Sequence, residues 1–266
     1  MDPKYDNPPV VERVIGVQFA ELAFFTNAHA GWFWKSYLDE EWTHINEVPR
    51  LESKIENFES KKRGIIPQLT VQTMPTPERH QIVRKTDDRM IQIQNTRFIL
   101  NWRKKDNQDY MDFESIYGEF QNYFDKFKDF VRDAGGEELQ FNQWEITYVN
   151  HIFKGELWNN IDDWTEIFPG LSIPRLDIYK KRLDTLNMEW AVNLQGNTGR
   201  LHIKLNHAVV KSQDEPEIIR ADFTSRGPIN ASQDYQRGLF LGHEAIVNTF
   251  TEITSESAHK YWRRRS

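Results

Sequence analysis

The sequence contains no cysteine among its 266 residues. This absence excludes disulfide bonds, thiolate metal sites and a cysteine nucleophile. A chain of this length buries enough apolar surface to fold without such crosslinks. The lack of cysteine also suits a reducing compartment.

Long apolar runs are missing as well. No stretch reaches the roughly 18 apolar residues of a transmembrane helix, and residues 1–9 lack the basic and apolar regions of a signal peptide. We therefore expect a cytoplasmic protein without a membrane partner.

Signature motifs of common enzymes are absent. The chain has no glycine-rich phosphate loop, no dinucleotide-binding motif and no nucleophile elbow. The segment His243–Val247 begins like a zinc-protease helix, but Val247 stands where the second histidine ligand is required. His202 and His207 fall on opposite faces of a predicted strand, so they do not share a metal ion. The sequence thus predicts no metal, no cofactor and no catalytic residue.

An excess of positive charge is also lacking. The net charge is −6, and acidic residues outnumber basic ones in both halves of the chain. Proteins dedicated to nucleic-acid binding usually carry a basic domain, because phosphate contacts drive their affinity. The charge balance disfavours that role, although it leaves room for a local basic patch.

Aromatic residues are abundant, with 9 Trp, 9 Tyr and 17 Phe, and they fall in periodic segments. Alternation and β-branched residues predict strands at 10–19, 65–73, 79–85, 90–94, 97–104, 139–153, 178–194, 200–211 and 217–225. Spacing of three and four residues predicts helices at 28–45, 113–134 and 235–262, with shorter ones at 50–63 and 161–168. The last long helix has an expected irregularity at Thr254–Ser255.

The order of these elements is similar before and after Gly135–Gly136. Each side has a strand, a helix, three or four antiparallel strands and a long helix, although no residue-level repeat is detectable. We therefore predict an α+β fold built from an N-terminal half, residues 1–135, and a C-terminal half, residues 136–266, in one compact unit. The two halves are expected to form one extended antiparallel sheet backed by two long helices.

Three clusters of polar and aromatic residues are candidate binding sites. The first lies on the strand at 97–104, where Arg97, Trp102 and Arg103 combine cations with a ring. Such a group is able to stack on a base or pair with a phosphate. An ordinary strand with one polar face explains the same pattern.

The second cluster lies on the strand at 139–153, where Tyr148 and Asn150 share one face. If buried, they either anchor a ligand or satisfy neighbouring backbone groups. In the C-terminal helix, His243 lies on the apolar stripe next to Glu244, where it either binds a ligand or is a hydrogen-bonded core residue. These four residues are also the candidates for a dispersed active site, which requires one pocket that collects all of them.

The third cluster ends the chain, where His259, Trp262 and Arg263 lie in the segment Ala258–Arg265. Cations at this end of a helix interact favourably with its dipole. The same residues suit an acidic partner surface.

Four segments, in this order, carry a family resemblance across nearly the whole chain. They are Asn7–Glu12, Gln94 with Arg97–Arg103, Ile146–Asn150, and Gly242–Val247 with Ala258, His259 and Trp262. Together they resemble a sporadically distributed family of uncharacterised prokaryotic proteins of similar length. The resemblance carries over no activity and no catalytic residue, but it implies a patchy distribution of the kind seen for mobile or defence-related genes.

These observations predict a non-catalytic protein-binding component, such as the neutralising or sensing subunit of a toxin–antitoxin or phage-defence system. The partner is expected to be another protein, held by the sheet face and by aromatic anchors; homo-oligomers are left open. One alternative is a nucleic-acid or nucleotide binder that uses the sheet face. The other is an enzyme with the dispersed active site described above.

Overall fold

The computed structural model describes residues 3–52, 54–58, 79–105, 110–173, 183–212, 214–229 and 234–265. The helices are α1 (Asn27–Tyr37), α2 (Phe113–Asp133), α3 (Trp164–Ile167), α4 (Asp234–Ile253) and α5 (Glu256–Tyr261). The strands are β1 (Lys4–Tyr5), β2 (Val10–Phe19), β3 (Trp42–Val48), β4 (Arg79–Arg84), β5 (Arg89–Gln94), β6 (Arg97–Arg103), β7 (Phe141–Phe153), β8 (Asn187–Asn193), β9 (Arg200–Val209), β10 (Glu217–Pro228) and β11 (Arg264–Arg265).

Nine of these strands form one antiparallel sheet in the order β3-β4-β5-β6-β2-β7-β10-β9-β8. The β2–β7 pair is central, with Ile15 opposite Ile146. After β2 the chain crosses to the edge strand β3 and returns through β4 and β5 to β6, which lies next to β2. After β7 it crosses to the edge strand β8 and returns through β9 to β10, which lies next to β7. The predicted α+β class with an extended antiparallel sheet is confirmed. The division into two halves at residue 135 stays a prediction.

The long helices cover one face of the sheet and form the core with it. Alternation along β6 turns Phe98 towards α2, where its ring lies 5.2 Å from that of Phe127. Helix α4 packs on β7 and β10. It approaches closely because Gly238 carries no side chain: a Cβ there would lie 2.2 Å from the ring of Trp144.

Two predicted helices are wrong in extent or type. Helix α1 ends at Tyr37, and the sequence that was expected to continue it forms the edge strand β3. The chain turns where the Asp39 carboxylate accepts a hydrogen bond from the Glu41 amide at 3.0 Å. Trp42 still faces the core, 5.1 Å from the ring of Tyr123, which explains why the aromatic spacing looked helical.

The second wrong helix is the one predicted at 50–63, because its described residues, 50–52 and 54–58, contain no helix. The predicted break at Thr254–Ser255 is confirmed: α4 ends at Ile253, and Ser255 caps α5 by accepting a hydrogen bond from the Ala258 amide at 3.3 Å. The predicted strand at 65–73 lies outside the described residues, as does the stretch 178–182 of the strand predicted at 178–194. No helix in the described part of the chain has the length and hydropathy needed to span a bilayer.

Candidate functional site

The strand candidates Arg97, Trp102 and Arg103 do not share a surface. Successive side chains of a strand alternate between faces, and Trp102 points towards the helices, where it is 1% exposed. Arg103 lies on the opposite face and pairs with Glu12 and Asp87 at 3.2 Å each. The ring that the nucleic-acid interpretation requires beside the two arginines is therefore on the wrong side of the sheet.

Tyr148, Asn150 and His243 do converge, beneath α4. The Tyr148 hydroxyl lies 2.7 Å from Nδ1 of His243, and the imidazole stacks on the ring of Phe113 at 4.1 Å. The Asn150 amide donates a hydrogen bond to the carbonyl of Ala221 at 2.9 Å. All three candidates line one cavity.

Glu244 is not part of this group. It is exposed, although it follows His243 directly, and it does not line the cavity. A dispersed active site was expected to collect all four side chains. The structure brings three together and leaves out the one carboxylate that was available among them as a general base.

The C-terminal candidates mainly close the fold. Trp262 is 2% exposed and packs on Phe250, with ring centroids 5.1 Å apart. His259 is also buried, with Nε2 at 2.9 Å from the Thr254 hydroxyl. Arg263 is exposed, and its carbonyl accepts a hydrogen bond from the N-terminal segment at 3.1 Å. Two of the three residues are thus unable to contact a partner.

A different site lies on the sheet face that the long helices leave uncovered. The strand register places four long polar side chains in one row across β5, β6, β2 and β7, which we call the polar row: Gln94, Arg97, Gln18 and Gln143. Residues 51–56, here called the strap, follow this row from β5 to β7; residue 53 lies outside the described part. Three strand spacings amount to about 14 Å, which a segment of this length covers only when extended.

Two glutamines of the polar row bind the main chain of the strap. Gln94 accepts a hydrogen bond from the Leu51 amide at 3.1 Å and donates one to the Leu51 carbonyl at 3.2 Å. Gln143 accepts from the Glu56 amide at 2.8 Å and donates to the Lys54 carbonyl at 2.9 Å. A side-chain amide offers both a donor and an acceptor, so it pairs with a peptide group as a neighbouring strand does. These contacts do not depend on the side chains of the strap.

Arg97 completes the main-chain contacts. Its guanidinium donates a hydrogen bond to the Glu52 carbonyl at 3.1 Å and another to the side-chain oxygen of Gln18. Burial lowers the pKa of Arg97 from its usual value. Arg97 was expected from the sequence to stack on a base or pair with a phosphate. It belongs to this site instead, where it binds the main chain of the strap.

One side chain of the strap is bound specifically. Glu56 is 7% exposed, and its carboxylate contacts Arg200, His202 and Arg226, which we call the basic triad. The Nε2 of His202 and the Nε of Arg226 both lie 2.6 Å from its Oε1. Burial alone would raise the pKa of Glu56, but hydrogen bonds from His202 and Arg226 and their charges lower it to about 2.

Sequence reasoning missed the strap and the basic triad. Alternation along β9 already places Arg200 and His202 on one face, and this was a usable signal for a basic patch. Glu56 was assigned to a short polar helix, where a carboxylate is ordinarily solvated. Its partners are 144 to 170 residues away along the chain, so no local pattern reveals the contact.

Comparisons with known proteins identify no relative: no family model matches the chain, and a search of curated proteins finds no match. The resemblance to sporadically distributed prokaryotic proteins stays a prediction.

Proposed function

We propose that this protein binds an extended acidic segment of a partner protein across the polar face of its sheet, in the position that the strap occupies. The supporting observation is the way the strap is held. Side chains of the polar row bind its main chain, and the basic triad binds one carboxylate. Many peptide-binding proteins work in this way: hydrogen bonds to the peptide main chain give affinity, and a pocket for one side chain gives specificity.

The polar row favours an extended chain among the segments that are able to cover it. With the strap in place Gln94 is fully buried and Gln143 is 2% exposed, so a covering segment that left these amides without partners would lose about 1–3 kcal/mol for each. A peptide main chain supplies alternating donors and acceptors along the row. Either the strap or a partner segment of the same conformation satisfies these groups.

The basic triad requires an anion. Arg200 and Arg226 face each other directly in the β9–β10 register, with His202 beside them. Like charges this close repel one another, and water screens the repulsion only in part, because the side chains of Arg200, His202 and Arg226 are 25%, 19% and 16% exposed. Glu145, 3.5 Å from Arg226, offsets part of this repulsion. A carboxylate at the position of Glu56 offsets the rest, so the partner segment carries Glu or Asp there.

The strap is suited to displacement because polar contacts hold it. Of its two described apolar residues, Ile55 is 54% exposed and Leu51 is partly exposed, and the side chains of Glu52 and Lys54 are exposed. Each neutral hydrogen bond to its main chain contributes only about 0.5–1.5 kcal/mol net, and only the bonds to the charged Glu56 contribute more. A partner segment that makes the same contacts and adds apolar ones therefore displaces it.

Peptide display tests this proposal. Random decapeptides are selected on the wild type, on Glu56→Lys, in which charge repulsion drives the strap from the basic triad, and on Glu56→Lys with Arg226→Gln. We expect Glu56→Lys to enrich peptides with one dominant Asp or Glu position, and the double variant to lose this preference.

The matched control is Glu189→Lys, which makes the same charge change at an exposed β8 residue that pairs with Lys204 at 3.1 Å. It should select no more peptides than the wild type. Selection on Glu56→Lys of peptides without an acidic preference would rule out the proposal. The predicted role in a toxin–antitoxin or phage-defence system stays a prediction, because no feature of the polar row or the basic triad identifies the partner.

A further inference from the structure

A second site lies on the opposite face of the sheet, in the cavity that contains Tyr148, Asn150 and His243. Its volume is about 460 Å³, within the range of small-molecule sites. Its walls come from β2, β7, the start of α2, α4 and the N-terminal segment. Strand β1 pairs with β11 and closes one side. We call it the Arg13 cavity, because Arg13 is its most buried charged group.

Arg13 is 1% exposed on the core side of the sheet. Its Nη1 donates a hydrogen bond to the Met111 carbonyl at 2.7 Å, whereas its Nε finds no partner in the described part of the chain. Among the described residues, no carboxylate lies within ion-pair distance of it. A buried charge without a counter-ion is costly. A buried guanidinium with a donor facing a cavity is a suitable partner for an anionic group.

Aromatic rings hold the guanidinium in place. Its central carbon lies 4.5 Å from the ring of Tyr110 and 4.6 Å from that of Tyr148. Contacts of this kind attract a cation to the face of the ring. They fix the position of the donors but supply no formal negative charge.

The remaining walls define the rest of the ligand. Apolar and aromatic side chains form much of the lining: Phe113, Phe223, Ile246, Val247 and Phe250. The Asp112 carboxylate is already engaged, since it accepts a hydrogen bond from the Ser115 amide at 2.8 Å. Hydrogen bonds with Ser115, first with its side chain and then with its backbone amide, are the main causes of the lowered pKa of Asp112, and the charges of Arg13 and Lys4 are smaller ones. Glu114 also lines the cavity but is exposed. A single anionic group on an apolar body fits this environment.

We infer that the Arg13 cavity binds an organic anion, with a carboxylate or a phosphate monoester at the guanidinium and an apolar body against α4. The planar fork of arginine pairs with either head group. This site is separate from the strap, because the two lie on opposite faces of the sheet.

Isothermal titration with three probes tests the inference: 3-phenylpropionate, phenyl phosphate and the neutral 3-phenylpropionamide. We expect at least one anion to bind the wild type at least about tenfold more tightly than the amide. Preference for one anion identifies the head group. Equal binding of the amide, or no anion binding at up to about 10 mM, overturns the inference.

Two variants locate the binding. Arg13→Met should reduce anion affinity at least about tenfold while keeping or raising the melting temperature, because it removes a buried charge with which no described carboxylate pairs. The matched control Arg103→Met, at a paired arginine on the other face, should leave affinity unchanged. Val247→Phe keeps Arg13 but fills the cavity, so it should also abolish binding; it decides the question if Arg13→Met does not fold. Retained affinity in Arg13→Met or in Val247→Phe contradicts the inference.

Discussion

Replacing Glu56 by glutamine should destabilise the protein by an amount that depends on pH. The change keeps the shape of the side chain and removes its charge from the basic triad. The partners lie on β9 and β10, whereas Glu56 follows β3 at the other edge of the sheet. The substitution therefore weakens a contact that joins distant parts of the fold.

The magnitude follows from the pKa of Glu56, which is lowered from 4.5 to about 2. Each unit corresponds to about 1.4 kcal/mol, so the charged form contributes at most about 3.5 kcal/mol. Water reaches Arg200 and Arg226, whose side chains are 25% and 16% exposed, and it screens part of the interaction. We expect a difference of about 1–3 kcal/mol between wild type and Glu56→Gln at pH 7.

The sign of the pH dependence is fixed by the lowered pKa. The stabilisation is complete above the unfolded-state pKa of about 4.5 and disappears as pH falls towards 2, where Glu56 is protonated in both states. By about pH 3.5, roughly 40% of the difference should be lost.

Urea titrations of both proteins between about pH 7 and 3.5 measure this difference in unfolding free energy. The control Glu189→Gln, at the exposed β8 pair with Lys204, should stay within about 0.5 kcal/mol of wild type at pH 7. If Glu56→Gln matches wild type at pH 7, or if the difference stays constant down to pH 3.5, the assigned role of the basic triad is wrong.

Further predictions concern two helix glycines and a buried histidine. Gly238→Ala should lower the free energy of unfolding by more than about 2 kcal/mol, measured by thermal unfolding, because the added Cβ would meet the Trp144 ring at 2.2 Å. Gly118→Ala is the control: no atom lies within 4 Å of the added Cβ, so it should stabilise α2 by up to about 1 kcal/mol. His80 is 2% exposed, neither ring nitrogen has a hydrogen-bond partner among described residues, and burial lowers its pKa. Since the unfolded chain binds the proton more readily, stability should fall as pH drops below about 6.5, with Glu47 at 3.9 Å offsetting part of the loss. His80→Phe should flatten that slope in urea titrations, and an unchanged slope would exclude this role.

Elements with strong periodicity could be predicted from the sequence. Helix α2 was predicted at 113–134 and is observed at Phe113–Asp133, because its apolar stripe packs along its whole length on the sheet. Strand β7 and the break after Ile253 were predicted for similar local reasons. The order of the elements also led to one continuous antiparallel sheet, since strands that follow one another in the chain tend to pair.

Features that depend on distant contacts could not be predicted. The strap has no periodicity of its own. Its conformation is fixed by the side-chain amides of Gln94 and Gln143, which bind its main chain and therefore leave no pattern in its sequence. Arg13 was detectable in principle, because alternation places it on the same face as Ile15 and Val17. Whether a charged residue at such a position is paired depends on the tertiary structure.

The most direct test of the strap site is the affinity of a synthetic peptide of residues 50–58 for the Glu56→Lys variant. The peptide with glutamate at position 56 should bind at least about tenfold more tightly than the same peptide with glutamine there, and the wild type, whose own strap competes, should bind both weakly. Equal affinities of the two peptides for Glu56→Lys would contradict the claim that the polar sheet face recognises an extended acidic segment.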